Sequence, residues 1–564
     1  MSETIGARLP RLEDQALLTG RGRFVDDIAA AAALVAAFAR SPHPHALIRA
    51  IDLKAARSAP GVIAVLTLDD LAPVMRQRRM VRTSNSGTKL DQSWPFALAN
   101  GEVSFVGEPV AIVVANDRYV AEDAAALVTV DYEILAPAVD CRIESAPPVR
   151  RELALNRIIS YQVGYGDIED AFAKAAHVVA EELWIHRGAA HSIEGRGILA
   201  QVSDHETLVW ASTQKAHDLR TALADYIELD ESRLRVATPD VGGGFGPKLC
   251  VYPEDIAVVA AATLLGRSIK WIEDRREHFT NAAQERDQYW SIELAADADG
   301  SVRGVRGRLV HDIGAYALQD VNIPYNSATT LTGPYIVPAL AMDVSAVHTN
   351  LAPVSSVRGA GYPQAAFAME RMMDRLAQAL TLDRAELRRR NLIPAEKMPY
   401  LKPLKARSGE QVQYDSGDYP GCQAELLRAI DWDDFPRRQA EARAAGRYIG
   451  IGLAHGMKGT GRGPFEFGKV RVSPTGHITV STGAAPMGQG LCTALAQICA
   501  DAFGVRAQDV TVIAGDTAAA PLGLGGFASR QMVTAGSSVK IAAAAVAAKA
   551  RKLASHMLEA AEED

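Results

Sequence analysis

The chain has 564 residues, of which 48% are hydrophobic, 23% charged and 6% aromatic. Those proportions exclude a disordered, collagen-like or disulfide-stapled chain and predict about three to five domains with substantial cores. Sixty Lys+Arg against 67 Asp+Glu leave a net charge of −7, so the whole chain offers no basic field for nucleic acid.

The longest apolar run near the N-terminus, Ile28 to Ala39, has twelve residues and follows Asp26 and Asp27. It is too short for a bilayer span and lacks the basic flank of a signal peptide. Five cysteines (Cys141, Cys250, Cys422, Cys492, Cys499) stand far apart with no CxxC pair. They predict neither a zinc nor an iron–sulfur site in this chain and suit a reducing compartment, with the cytoplasm as expected location.

Residues 1–20 read as an arm of alternating charge. From 21 to 140 short strand-like runs, Val62 to Leu66 and Pro109 to Ala115, surround an alanine-rich helix at Ala121 to Val128, and a strand Val128-Thr-Val-Asp-Tyr follows. This predicts a small α+β domain, joined by a Pro-containing linker at 141–164 to a domain spanning 165–402. There Thr207-Leu-Val-Trp-Ala alternates as a strand, and Gln214 opens a helix with the stripe Leu219, Ala222, Leu223, Tyr226. A strand at Leu234 runs into Gly242-Gly-Gly-Phe-Gly246. A buried helix is predicted at Pro253 to Leu265, a strand at Ile269 to Ile272, and a hairpin around Asp299-Gly300. A connection at 403–420 leads to the last region, 421–564. Its elements are a strand at His477, a helix from Gly490 to Ala502 and a strand at Val510, with an alanine-rich helix from Ala535 to Leu558 that has no sheet to close.

The stretches His205–Asp240 and Gly476–Asp516 share strand, glutamine-bearing turn, helix starting Thr-Ala-Leu-Ala (Thr221, Thr493), strand and glycine-rich loop. This order predicts an internal duplication, two related halves facing each other across a ligand cleft.

Four glycine-rich loops could carry chemistry: Gly242 to Lys248, Arg358 to Gln364, Met487 to Gly490, and Gly523 to Gln531. Glycine lets backbone approach a ligand and offers open N–H donors, and a following helix N-terminus favours anions. None is a P-loop, no GxGxxG occurs at 450–456, and no GxSxG elbow exists. His43-Pro-His45 has metal-like spacing without supporting carboxylates or cysteines. Glu194 is read as one side of a buried pair with an arginine rather than as a catalytic group.

Taken together, the motifs resemble the molybdenum-cofactor-binding large subunit of the xanthine dehydrogenase / aldehyde oxidase / carbon monoxide dehydrogenase family. The matches are Arg11-Leu-Glu-Asp, Gly20-Arg-Gly-Arg-Phe-Val-Asp-Asp27, Arg40-Ser-Pro-His-Pro-His-Ala46 and Phe105-Val-Gly-Glu-Pro-Val-Ala111. They continue through Val241 to Gly246, Arg358-Gly-Ala-Gly361, Gly488-Gln-Gly490 and Ala528-Ser-Arg530. The resemblance implies an N-terminal α/β hammerhead domain followed by molybdopterin-binding domains, the second incomplete. It implies molybdopterin cytosine dinucleotide as cofactor, with no protein side chain bound directly to the metal. Gln214 resembles the side chain that meets the molybdenum oxo group. Gly244, Phe245 and Gly246, with Arg358 and Gly359, resemble the lining of metal and pterin. Met487, Gly488, Gln489 and Gly490, joined by Ala528, Ser529 and Gln531, resemble the pterin and pyrophosphate clamp.

The family reaction is hydroxylation with water as oxygen source and a glutamate as general base. Electrons leave through [2Fe–2S] clusters to FAD, both expected here on partner subunits. The base lies in the family's C-terminal part, far beyond the Gly-Gln-Gly motif, so no catalytic residue is expected in this chain. A second molybdenum-domain polypeptide, from a split subunit, is the expected source, with a fragment as the alternative. The rival reading is a non-catalytic cofactor-binding or assembly protein that lost its active half. For substrate, purine-oxidising relatives carry a Glu four places after the loop Phe, where this chain has Leu249. The carbon monoxide enzymes carry a cysteine just after the loop arginine that Arg358 resembles, where this chain has Gly359, with Cys250 and Cys422 distant in sequence. An aldehyde or a neutral N-heteroaromatic ring remains, with the heteroaromatic preferred.

Overall fold

A computed structural model describes residues 4–82, 91–319 and 322–562. The first three residues of the predicted arm and the last two of the predicted second half lie outside them. The strand Pro109–Ala115 carries no polar side chain and is buried along its length, as suits a strand covered on both faces. It lies between Val62–Leu66 and Leu34–Arg40 in a seven-stranded sheet. The order continues through Ile269–Ile272, Gly197–Val202 and Thr207–Ala211 to Leu234–Ala237. The seam is a short parallel pairing of Leu34 and Val35 with Ile269 and Lys270. The hammerhead region and the domain after it therefore share one sheet. The helix Pro253–Leu265 packs its buried Ile256, Val258 and Val259 onto that sheet.

A second, five-stranded sheet runs in the order Arg157–Tyr165, Ala339–His348, Val302–Gly314, Gln288–Ala296, His177–Ile185. The helix Tyr362–Leu380 lays Met369, Met372, Met373 and Leu376 against it at helical spacing. Two stretches read as connections contain structure. The strand Arg157–Tyr165 begins inside 141–164, where its alternating Ile159, Tyr161 and Val163 follow prolines that mask them. The hairpin Tyr400–Lys405/Gln411–Tyr414 overlaps 403–420, with Lys402 and Leu404 turned inward.

The duplicated stretches fold alike. In the first, β1 (Gly197–Val202) pairs antiparallel with β2 (Thr207–Ala211), α1 (Ala216–Tyr226) crosses over, and β3 (Leu234–Ala237) returns parallel to β2. In the second, β4 (Gly468–Val472) pairs antiparallel with β5 (Ile478–Thr482), α2 (Leu491–Phe503) crosses over, and β6 (Val510–Ala514) returns parallel to β5. The predicted stripe Leu219, Ala222, Leu223, Tyr226 is buried on α1, and Leu495, Ala496, Cys499, Ala500 on α2. The alanine-rich α3 (Ser537–Leu558) does have a sheet to close. Val539 and Ala543, one helical turn apart, pack with Val470 and Val480 of the second unit.

The two units meet where β3 and β6 end. Thr238 N–H donates to the Gly515 carbonyl at 2.9 Å, Thr517 N–H to the Val236 carbonyl at 3.0 Å, and Arg235 forks onto the Asp516 carboxylate. Among the described residues no helix is long and apolar enough to cross a membrane.

Candidate cofactor site

The four glycine-rich loops lie at the junction of the two units, and Gln214 joins the first of them to the fourth. It is buried just before α1. Its side-chain N–H₂ donates to the Gly526 carbonyl at 2.6 Å, and its Oε1 accepts the Gly246 N–H at 2.8 Å. Its backbone accepts the Gly526 N–H and donates to Lys248, both at 2.9 Å. One amide thus fixes the first and fourth loops against each other. Space there suits only glycine. A Cβ on Gly244 would lie 2.6 Å from Gln214 Oε1 and 2.8 Å from Met487 Sδ, and one on Gly246 would enter the Ser356 carbonyl.

Phe245 adopts φ 56° and stays 41% exposed at the loop tip. An unbranched aromatic in the left-handed region, with its ring turned to solvent, is a strained conformation held by its surroundings. Its carbonyl receives the Arg358 N–H at 2.8 Å, and the Arg358 guanidinium stands 5.6 Å from its ring centre. Gly359 follows Arg358 with φ 107°. The third loop is laced to the fourth through Gln489 and Gln531, which bond each other and both reach the Ala485 carbonyl. Met487 N–H donates to Gln489 Oε1 at 2.6 Å. Ala528 (φ 49°) and Ser529 (φ 52°) are consecutive left-handed residues in the fourth loop. Gly488 faces open space, its nearest neighbour for an added Cβ being the Val241 carbonyl at 3.7 Å. Leu249 is buried on the turn Pro247–Leu249, directly behind the first loop.

Several residues that organise this site were not anticipated. Glu194 is paired, but with Lys248 and not with an arginine. Its Oε2 accepts the Lys248 ammonium at 2.7 Å and the Gly242 N–H at 2.8 Å. Burial lowers the Lys248 pKa, and Glu194 opposes that shift. The neighbouring Arg196 instead serves Glu273 and Glu254. In the second unit Glu466 and Arg530 form a pair with no exposed side-chain surface, 2.6 Å apart. Glu466 accepts the Leu524 and Gly525 N–H groups, and Arg530 donates to the Arg462, Phe465 and Gly525 carbonyls. A lone Glu between two phenylalanines carried no sequence signal for that role. Cys250, distant from Arg358 in sequence, meets Ser355, three residues ahead of it. Its thiol donates to Ser355 Oγ at 3.2 Å, and burial pushes its pKa up to about 11. His45 bonds Glu102 and the Ala136 carbonyl, and His43 packs edge-on against Tyr132.

The electrostatics of the rim favour an anionic ligand. Lys458 donates to Ser529 Oγ at 2.7 Å, and its pKa is lowered by burial and by the nearby Arg462 and Arg358. Among the described residues Arg462 bonds neutral partners, Tyr362 and Asn326. Three mutually repelling cations beside open backbone amides form a cradle suited to phosphate and other anionic oxygens. The residues present therefore fit a large phosphorylated cofactor.

A fold of hammerhead plus duplicated units around such a cradle defines a cofactor-binding oxidoreductase subunit. Residues 19–136 match the family model "Aldehyde oxidase and xanthine dehydrogenase, a/b hammerhead domain". Residues 152–392 and 425–564 each match a molybdopterin cofactor-binding domain. The chain is 35% identical to the nicotine 6-hydroxylase large subunit of Paenarthrobacter nicotinovorans, over 99% of this chain and 70% of that one. Quinoline 2-oxidoreductase from Pseudomonas putida 86 superposes with a TM-score of 0.92 at 35% identity, covering 100% of this chain and 73% of that one. The carbon monoxide dehydrogenase of Oligotropha carboxidovorans gives 0.90 at 33%, covering 99% and 73%. This chain belongs to the molybdenum-cofactor-binding large subunits of the xanthine dehydrogenase / aldehyde oxidase / carbon monoxide dehydrogenase family. It is a molybdenum hydroxylase subunit that works as part of a complex.

Proposed function

We propose that this chain holds molybdopterin cytosine dinucleotide between its two units, and that the complex hydroxylates an N-heteroaromatic ring at an electron-poor carbon. The observation that carries the reading is the tie that Gln214 makes between the first and fourth loops, with the second loop held to Phe245, the third laced to the fourth, and Arg358, Lys458 and Arg462 at the rim. When bound, the molybdenum centre supplies oxygen transfer and two-electron redox chemistry. The chain's own residues bind and orient. Gln214 presents a fixed amide, the Gly244–Gly246 and Arg358–Gly359 backbones line the metal end, and the loops 487–490 and 528–531 hold the pterin and dinucleotide.

The substrate assignment rests on Phe245 and Leu249. An exposed aromatic face can stack on a flat ring. An apolar side chain at 249 gives a purine's polar edge no partner, which disfavours such a substrate by about 1–3 kcal/mol. The nicotine- and quinoline-oxidising relatives fit that choice, and an aldehyde is the second candidate. The general base comes from outside these residues, because Glu194 is already committed to Lys248 and Gly242. We assign it to molybdenum-domain sequence outside these 564 residues, carried on a further polypeptide or on the same one, with the [2Fe–2S] clusters and FAD on other subunits. The five cysteines are all free, consistent with a reducing, cytoplasmic setting.

The test is purification of the complex, analysis for molybdenum and released cytidine nucleotide, and turnover on quinoline, nicotine-like pyridines, aromatic aldehydes, xanthine and carbon monoxide. The expected order places the heteroaromatics first. Preferred turnover of xanthine overturns the substrate argument, and full hydroxylase turnover by this chain alone overturns the assignment of the base. A complex that holds molybdenum but oxidises nothing supports the rival cofactor-binding or assembly role.

A further inference from the structure

The N-terminal arm precedes all three matched models, the first of which begins at residue 19, yet it reaches into the site. Glu13 Oε1 accepts the N–H groups of Cys492 (3.1 Å) and Thr493 (3.3 Å), and Oε2 accepts the Thr493 hydroxyl. Leu12 N–H donates to that same hydroxyl at 2.8 Å. Arg11 Nη1 donates to the Gly488 carbonyl at 2.6 Å. Leu9 and Leu12 pack against the core of α2 and α3, and the Gln497 side chain ties down the Thr4 carbonyl at 2.8 Å. Ten residues on, Arg23 and Asp240 exchange two hydrogen bonds, 2.8 and 3.0 Å, just ahead of the Gly242 loop. The arm grips the second half of the cofactor cradle, and the residues just after it grip the first.

The first amides of a helix lack intrahelical partners and carry its positive end. On α2 that place is filled by the protein's own carboxylate. A cofactor phosphate at this loop must then be bound by the amides ahead of the helix, those of Gly488, Gln489 and Gly490. Their direction depends on the arm. In a trans peptide the C=O and the next N–H point in opposite directions, so Arg11 holding the Gly488 carbonyl turns the Gln489 N–H to the other side.

We propose that Glu13 and Arg11 are positioning residues for the cofactor: Glu13 caps α2 and Arg11 orients the Gly488–Gln489 peptide that receives it. The proposal rests on the reading of Met487–Gly490 as a cofactor loop. The test uses the full chain with its co-purifying subunits, in the variants Glu13→Gln, Arg11→Ala and, as a packing control, Leu9→Ala. Hydrogen exchange of residues 487–495, molybdenum and nucleotide per folded protein, and melting temperature are read together. In Glu13→Gln and Arg11→Ala the expected result is roughly fivefold faster exchange across 487–495, the scale of a lost helix cap. Exchange at Leu234–Ala237 stays unchanged, and cofactor drains away several-fold faster. Leu9→Ala lowers the melting temperature and leaves cofactor content intact. Should Glu13→Gln fail to fold, the exposed Arg11 variant still decides. Equal cofactor retention in wild type and both arm variants overturns this inference alone. A wild-type complex without molybdenum overturns the parent reading and the inference with it.

Discussion

The two units carry the same tetrapeptide, Thr-Ala-Leu-Ala, on the helix that follows the glutamine-bearing turn, and the two threonines meet different fates. Thr221 of α1 is exposed, whereas Thr493 of α2 is buried under the N-terminal arm. The helices start at different points relative to the repeat. Residue 221 is the sixth of α1, and residue 493 the third of α2. Gly488 (φ 83°) and Gly490 (φ 76°) make the second helix start later and leave a loop of open amides where the first unit is already helical. A duplication thus yields one half that supplies a rigid side chain, Gln214, and another that supplies backbone donors. Each needs its own support: a glutamate–lysine pair behind the first loop, a buried glutamate–arginine pair and the arm behind the second.

The sharpest way to break this division is to remove the two supports and compare. Glu466→Ala leaves Arg530 charged in a site without water contact and is expected to destabilise by about 3–5 kcal/mol, as for other broken buried pairs. Glu194→Ala leaves Lys248, which can give up its proton, and removes one cap on Gly242, at about 1–3 kcal/mol. Urea denaturation of the two variants checks the ranking. Equal losses would mean that the halves are supported alike.

Substitutions in the loops come next in size. Gly490→Val puts a β-branched side chain at a left-handed position whose Cβ would sit 3.3 Å from Arg11 Cδ. Strain of about 1–3 kcal/mol is expected, with loss of molybdenum from the folded protein. Gly244→Ala creates a clash of similar size against Gln214 and Met487. Gly488→Ala meets open space and pays only for its φ, about 1 kcal/mol. Metal analysis of the soluble fraction separates a lost cofactor from a merely less stable chain.

Much of this was legible in the sequence, and what was missed has a common cause. The helix Pro253–Leu265, the strand Ile269–Ile272 and the duplicated order of elements follow from local periodicity, which each segment carries in itself. The loops were legible because glycine clusters mark backbone that must adopt special angles. The shared seven-stranded sheet was not, since a two-residue pairing between Leu34 and Ile269 leaves no trace in either strand. Nor were the partners of Glu194, Glu466 and Glu13 legible. A carboxylate's role depends on which distant cation or helix end the fold brings to it, and Glu13 lies 480 residues from Thr493. Reading α3 as a helix without a sheet failed for the same reason, because its partner stripe on β4 and β5 lies far upstream.

The smallest predicted effect concerns the contact between the units. His217, on α1, donates from Nε2 to the Ala520 carbonyl of the second unit at 2.7 Å, and its buried Nδ1 has no partner among the described residues. A proton on Nδ1 would place a charge without an acceptor in that contact, and burial accordingly lowers the His217 pKa, with Arg220 adding to the shift. The folded state therefore binds fewer protons than the unfolded chain, whose imidazole titrates near its ordinary value of about 6.5. Stability contributed by neutral His217 is full above that value and falls as pH drops below it, toward the lowered folded pKa. Comparing wild type with His217→Gln from pH 7 down to pH 5 isolates this group. The variant keeps a donor to Ala520 and cannot charge, so its stability curve should be flatter in acid by a fraction of the wild-type slope. Parallel curves would show that the protonation of His217 does not weigh on the junction, which the Arg235–Asp516 pair and the Thr238–Gly515, Thr517–Val236 and Gln214–Gly526 bonds also hold.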